Sequence, residues 1–208
     1  MSRRITAGVS AVLLVILTVM VTTGNAIVTK TDNLFANFAA STVNPVSTIL
    51  FKIIKFLASP AFTSVLMLAL VVYLFYKRSQ GLSVWLAISF FGGSAIAWVI
   101  KHLVRRPRPA GASKSDDGFS YPSGHVLCAA MLVILALVIL YHNTEDTKTR
   151  VIWTIVGCVW ILLVMFDRVY LQAHHITDTL ASVLLASCWL GLTYEFRPQE
   201  LKTRRRYY

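Results

Sequence analysis

Six apolar runs, each close to the length that crosses a lipid bilayer as a helix, leave this chain few ways to fold. They are Ile5–Val28, Pro60–Tyr76, Leu82–Ile100, Val126–Tyr141, Val151–Phe166 and Ile176–Tyr194. A hydrocarbon core of about 30 Å takes roughly 20 such residues. Inside it, a helix satisfies every backbone N–H and C=O within its own segment. The expected fold class is all-α: a six-transmembrane-helix bundle, with residues 1–208 forming one integral-membrane domain. A 56% hydrophobic composition is too oily for a soluble globule of 208 residues. The two shorter runs are expected to continue as helices that rise out of the membrane. Arg3-Arg4 before Ile5 resembles the start of a secretory signal, but the run behind it is long and more spans follow. An uncleaved first span is the expectation. Pro60 suits a first helical turn, and Gly92-Gly93 allows a neighbouring helix to approach closely.

Short amphipathic helices are expected between the first two spans. Ile49, Leu50, Ile53, Ile54 and Leu57 share one helical arc of about 140°. Lys52 and Lys55 project elsewhere. This predicts a helix lying in the outer interface with its lysines toward lipid phosphates. A short buried connector is the plainer alternative.

The formal charge of +11 does not point to nucleic acid, because the cations collect in short loops and at the ends of apolar runs. With the N-terminus inside, six alternating spans place eleven Lys and Arg on the cytoplasmic side and nine outside. Five of those nine (Lys101, Arg105, Arg106, Arg108 and Arg168) belong to or adjoin polar clusters. Setting them apart leaves eleven against four, which predicts both termini in the cytoplasm. The basic tail Lys202–Arg206 reads as a topology anchor on anionic inner-leaflet lipid. Cys128, Cys158 and Cys188 lie inside apolar runs and read as small buried hydrophobes.

Three polar clusters interrupt the oil. They are Lys101 with Arg108-Pro109, then Tyr121-Pro122-Ser123-Gly124-His125, then Arg168 with His174 and Asp178. Six alternating spans put all three on the outer side. Phosphoryl transfer needs spread negative charge neutralised, a nucleophile, and an acid for the leaving group. Arg108 and Arg168 can grip phosphate oxygens bidentately, and Lys101 adds a point charge. Ser123 and the Gly124 N–H stand where the fourth helix begins, at the positive end of its dipole. His174 and Asp178 are four apart and share a helix face. Asp178 can hold one imidazole nitrogen and leave the other free to attack. His125 suits the general acid.

The order and spacing resemble the type 2 phosphatidic acid phosphatase family. Its marks are Lys, six residues, Arg-Pro; then Pro-Ser-Gly-His; then Ser-Arg, five residues, His, three residues, Asp. Lys101 to Arg108-Pro109, Pro122 to His125, and Arg168 to His174 to Asp178 match, so the core motifs span 101–178. The resemblance implies a metal-independent hydrolase with no cofactor, working through a phosphohistidine. It assigns His174 as nucleophile, Asp178 as its partner and His125 as general acid. Lys101, Arg108, Ser123, Gly124 and Arg168 would bind phosphate. One position departs: the Ser before Arg is Asp167. Such a carboxylate would repel phosphate unless it points away or pairs with a cation such as Arg105 or Arg106.

Other polar residues carry plainer expectations. His102 and His175 are structural or interfacial, Asp116-Asp117 is a solvated loop, and no metal-ligand cluster stands out. The resulting expectation is an outward-facing lipid phosphatase in the plasma membrane. Undecaprenyl diphosphate, phosphatidylglycerol phosphate and phosphatidic acid are all open as substrates, with membrane lipids as surroundings. The rival readings are a catalytically silent lipid-phosphate binding or transport protein, and a vanadate-dependent haloperoxidase. An intact His–Asp pair argues against the first, and six spans against the second.

Overall fold

Polar residues at the breaks between apolar runs act as helix caps. In the computed structural model, which describes residues 3–113 and 116–202, Asn25 accepts from the Ile27 N–H and opens α2 (Ala26–Ser41). Asn44 and Ser47 form a reciprocal capping box around Pro45 and open α3 (Pro45–Leu57). Ser59 accepts from the Phe62 N–H, and Pro60 takes the first position of α4 (Pro60–Tyr76). Asp146 accepts from the N–H groups of Lys148 and Thr149 at the start of α7 (Thr147–Tyr170). The other helices are α1 (Arg3–Thr22), α5 (Gln80–Val104), α6 (Gly124–Asn143) and α8 (Ile176–Thr193). No strand occurs among the described residues.

The fold is an all-helical membrane bundle. Five helices are long and apolar enough to span by themselves: α1, α5, α6, α7 and α8, the last continuing to Phe196. A sixth candidate is the pair α3 and α4, bent by 41° between them, which passes the same test only when the two are counted as one span. One boundary needs correcting. The first span stops at Thr22 rather than Val28, because Gly24 takes a left-handed φ of +64° and Asn25 caps a new helix. Val28 is a buried residue of α2. The basic tail expected to anchor the C-terminus lies, beyond Lys202, outside the described residues.

α5, α6 and α8 form the centre of the bundle, around Leu86, Phe90, Leu127, Met131 and Leu185. Gly92 and Gly93 allow this close approach. A Cβ on Gly93 would stand 2.5 Å from the Met131 sulfur and 2.8 Å from the Trp189 ring. Trp189 then donates its indole N–H to the Ser89 carbonyl at 2.8 Å. A second cluster, with Phe51, Ile54, Val126, Val164 and Tyr170, seats α3 against α7. The outward faces of α1, α4 and α7 carry Val12, Val15, Val65, Leu68, Ile155 and Leu162 in the open. A soluble protein would not tolerate so continuous an apolar surface, whereas a bilayer requires it.

The expected helix over 49–57 forms as part of α3, with Ile49, Leu50 and Ile53 exposed to the surroundings and Phe51 and Ile54 turned inward. Its lysines do not both face outward as expected. Lys55 reaches the loop after α5 and pairs with Asp116 at 3.4 Å. Asp116 is correspondingly not a solvated loop residue, since only a tenth of its side chain is exposed.

Candidate active site

Four helix ends meet at one end of the bundle: the last turn of α5 and the start of α6, the last turn of α7 and the start of α8. Loop residues 105–113 and 116–123 meet those of 171–175 there, through Arg108 and the Ala173 carbonyl. All three polar clusters are thereby brought together, from segments spread over residues 101–178.

Backbone carbonyls aim the cations. Lys101 donates to the Phe119 carbonyl at 2.8 Å. Arg108 donates through Nε to Gly118, through Nη2 to Asp117, and through Nη1 to Ala173 at 2.7 Å. Its Nη1 also lies 3.2 Å from His174 Nε2. A guanidinium can only donate. Nε2 of His174 must therefore present its lone pair, and the ring proton falls on Nδ1. That proton faces Asp178 Oδ2 at 3.6 Å, an electrostatic contact slightly longer than a hydrogen bond. Burial pushes the His174 pKa down to about 4, although Asp178 pulls it up. His174 is thus a neutral imidazole at physiological pH, with one nitrogen facing a carboxylate and the lone pair of the other held by Arg108, free for an electrophile once Arg108 turns to a bound anion.

Asp178 is itself held from two sides. Its Oδ2 accepts from the His175 N–H at 3.0 Å, and its Oδ1 accepts from Arg106 Nη1 at 2.6 Å. Arg106 is therefore directed at the carboxylate. Arg105 goes the other way, exposed in a left-handed C-cap with its Nε on the His102 carbonyl. Neither arginine pairs with Asp167.

Asp167 takes its own neighbour. Arg168 donates through Nε to Asp167 Oδ2 at 2.7 Å, and its Nη2 lies 2.5 Å from the same oxygen. Both side chains are fully buried. Arg168 Nη1 has no protein partner, and neither does the buried hydroxyl of Ser123. A buried guanidinium N–H and a buried hydroxyl without partners are costly unless a ligand completes them. Ser123 is placed by its backbone, its N–H donating to the Asp178 carbonyl at 3.3 Å and its carbonyl accepting from Ser182. Gly124 opens α6 with free amide groups at a helix N-terminus. His125 follows in the same turn, within electrostatic reach of Arg168, His174, Lys55 and Arg108. Taken together, one donor-rich pocket holds a neutral histidine, a second imidazole and at least three cations. It can bind a tetrahedral oxyanion and present it to Nε2 of His174.

The motifs did not point to Asp32. It sits on α2, only 4% exposed, and accepts from Arg106 Nη2 at 2.5 Å and from the Thr177 N–H and hydroxyl. The available signal was its isolation, since no other Asp or Glu precedes Asp116. His175 lies 3.9 Å from it, which fits a structural role. Among the described residues no group of three His, Cys, Asp or Glu is placed to hold a metal ion.

Comparison with known proteins gives a consistent picture. Residues 82–202 match the model of the PAP2 superfamily. The chain is 32% identical over 121 residues to phosphatidylglycerophosphatase B of Haemophilus influenzae, covering 56% of this chain and 44% of that protein. It is 28% identical over 125 residues to the undecaprenyl-diphosphatase of Sulfolobus acidocaldarius, covering 57% and 56%. The chain spans about half the length of these curated relatives. A crystal structure described as the first transmembrane PAP2 type phosphatidylglycerolphosphate phosphatase, from Bacillus subtilis, superimposes with a TM-score of 0.82 at 24% identity. That likeness covers 99% of this chain and 100% of the other, and it establishes the fold.

Proposed function

Because the chain belongs to the PAP2 superfamily, we propose that it is a lipid phosphatase, removing the terminal phosphate of a lipid phosphate or diphosphate through a phosphohistidine. The observation that carries this is the lone pair of His174 Nε2, fixed by Arg108 on one side and Asp178 on the other, beside buried donors that lack partners. A site for binding alone has no use for an oriented neutral imidazole.

In the first step Nε2 of His174 attacks phosphorus, the N–P bond forms, and the P–O bond to the lipid breaks. His125, which must enter this step as the imidazolium, donates its proton to the departing oxygen and becomes neutral. The Nδ1–H of His174 turns its charge toward Asp178, which stabilises the cationic ring as the bond forms. Arg108, Arg168, Lys101, Ser123 and the Gly124 amide hold the equatorial oxygens. In the second step water gives a proton to His125 and attacks phosphorus. The N–P bond breaks, inorganic phosphate leaves, and both histidines return to their starting states.

The substrate would be a membrane lipid, its phosphate in the pocket and its tail between helices. Undecaprenyl diphosphate, phosphatidylglycerol phosphate and phosphatidic acid share the chemistry the pocket addresses, and the names of the relatives favour the first two. The excess of cations at the opposite end supports an outward-facing site with cytoplasmic termini, as recycling of a carrier lipid during wall synthesis requires.

The test is to trap the intermediate. Purified protein is mixed with substrate radiolabelled on its terminal phosphate and denatured within milliseconds in alkali, where a phosphoramidate survives. Wild type should carry label on His174, whereas His174→Ala should carry none and should not turn over. Substantial turnover by a folded His174→Ala protein would exclude the assignment.

A further inference from the structure

We propose that Asp32, acting through Arg106, is a positioning residue for phosphoryl transfer: it fixes the Asp178 carboxylate and so the nitrogen that His174 offers. This rests on the phosphohistidine reading above.

The links are short and directional. Asp32 Oδ2 accepts from Arg106 Nη2 at 2.5 Å, and the other arm of that guanidinium donates to Asp178 Oδ1 at 2.6 Å. Asp32 Oδ1 takes the Thr177 N–H at 3.1 Å and the Thr177 hydroxyl at 2.9 Å, on the same first turn of α8 that carries Asp178. Asp32, Arg106 and Asp178 form a row of two buried carboxylates around a half-buried guanidinium, with His174 at its end. A rigid fork suits this task, because a guanidinium gripped on both arms cannot rotate without breaking a charge-assisted bond.

Two effects of removing the Asp32 charge act in the same direction. Freed on its Nη2 side, Arg106 keeps only its Nη1 contacts to Thr177 and Asp178 and can tilt about them, so the donor that sets the Asp178 Oδ1 position is no longer fixed. Oδ2 no longer faces His174 Nδ1, and an error of about 1 Å at such a contact costs roughly 100-fold in rate. The charge of the row also changes. Two carboxylates around one guanidinium leave a net negative field toward the ring, whereas Asn in place of Asp32 leaves the row neutral. The positive charge that grows on His174 during attack is then stabilised less. Neither effect touches the phosphate-binding groups. Asp32 also lies outside the matched residues 82–202, on a helix whose other face exposes Leu34, Phe35 and Phe38.

Asp32→Asn and Asp32→Glu proteins are compared with wild type in detergent, using farnesyl diphosphate as substrate and vanadate as competitor. For Asp32→Asn, kcat should fall about 10- to 100-fold while KM and the vanadate inhibition constant stay within about threefold, and Asp32→Glu, which keeps the charge, should lose less. Adding Asp32→Asn to Arg106→Gln should lower kcat no further than Arg106→Gln alone, because both act through one row. Three results overturn the proposal: a folded Asp32→Asn protein with kcat within about twofold of wild type, losses that multiply in the double variant, or failure of both single variants to fold. Alkaline trapping on wild type separates the two claims. Absence of phosphohistidine defeats the proposed function, whereas its presence with an unaffected Asp32→Asn rate defeats only this inference.

Discussion

Asp167 and Arg168 are adjacent in the chain, yet their side chains close on each other, Nε to Oδ2 at 2.7 Å, with neither exposed. The pairing explains how a carboxylate is tolerated beside a phosphate pocket. It also sets the Nε–Nη2 edge of Arg168 against Oδ2, so that under the proposed function Nη1, which has no protein partner, would be the arm for an oxyanion.

Replacing Asp167 with Asn should therefore have two opposed effects. The melting temperature should fall, because a buried guanidinium loses its counter-charge. Vanadate should bind about tenfold more tightly, because the freed edge can grip it bidentately. Saturating vanadate should raise the melting temperature of the variant more than that of wild type. Equal vanadate inhibition constants in the two proteins would show that Arg168 does not reach the anion.

Chelation should leave turnover unchanged within about twofold, because fixed cations do the charge neutralisation that divalent ions do in other phosphatases. Lys101, Arg108 and Arg168 are the groups concerned. Phosphate release is measured before and after prolonged dialysis against EDTA. A loss of rate restored by magnesium would overturn this account of the pocket.

The pH dependence of stability follows from His174. Its folded pKa lies near 4, below the usual histidine value near 6.5, so the unfolded chain binds the proton more readily. The stabilisation is complete above pH 6.5 and is lost as pH falls toward 4. Between pH 7 and 4.5, the melting temperature of wild type should drop more steeply than that of His174→Gln. Parallel curves would mean that His174 is not buried as a neutral ring.

Orientation is tested with single cysteines in a chain whose three native cysteines are replaced by alanine. Asp117→Cys, in the loop over the pocket, should react with a membrane-impermeant thiol reagent in intact cells. Thr147→Cys, at the other end of α7, should react only after lysis. The opposite pattern would place the pocket on the cytoplasmic face.

The spans were legible because hydrophobicity and helix length are local properties. All six start within four residues of a helix start, and capping residues such as Ser59 and Asp146 explain where they begin. The first span was drawn too long because Ile27 and Val28 are as apolar as what precedes them, and only Gly24-Asn25 marks the break. Within the site, the cations and histidines announced themselves by spacing. Arg106 and Lys55 did not, because their partners, Asp32 with Asp178 and Asp116, lie between 61 and 74 residues away. Asp167 was visible as an anomaly, but its partner was the adjacent residue rather than Arg105 or Arg106. Pairings across the fold depend on tertiary geometry, which no local pattern encodes.

α5 runs for 25 residues, about 37 Å, against a hydrocarbon layer of roughly 30 Å. Its apolar stretch ends at Ile100, so with α5 spanning a bilayer Lys101 would stand near the level of the lipid headgroups. A lipid whose phosphate already occupies that layer needs no extraction from its leaflet and arrives by sliding sideways. The encounter is then two-dimensional, and the quantity that governs occupancy is the mole fraction of the lipid in the surface. Diluting the substrate with inert lipid or detergent at constant bulk concentration should slow such a protein, as adding water would not.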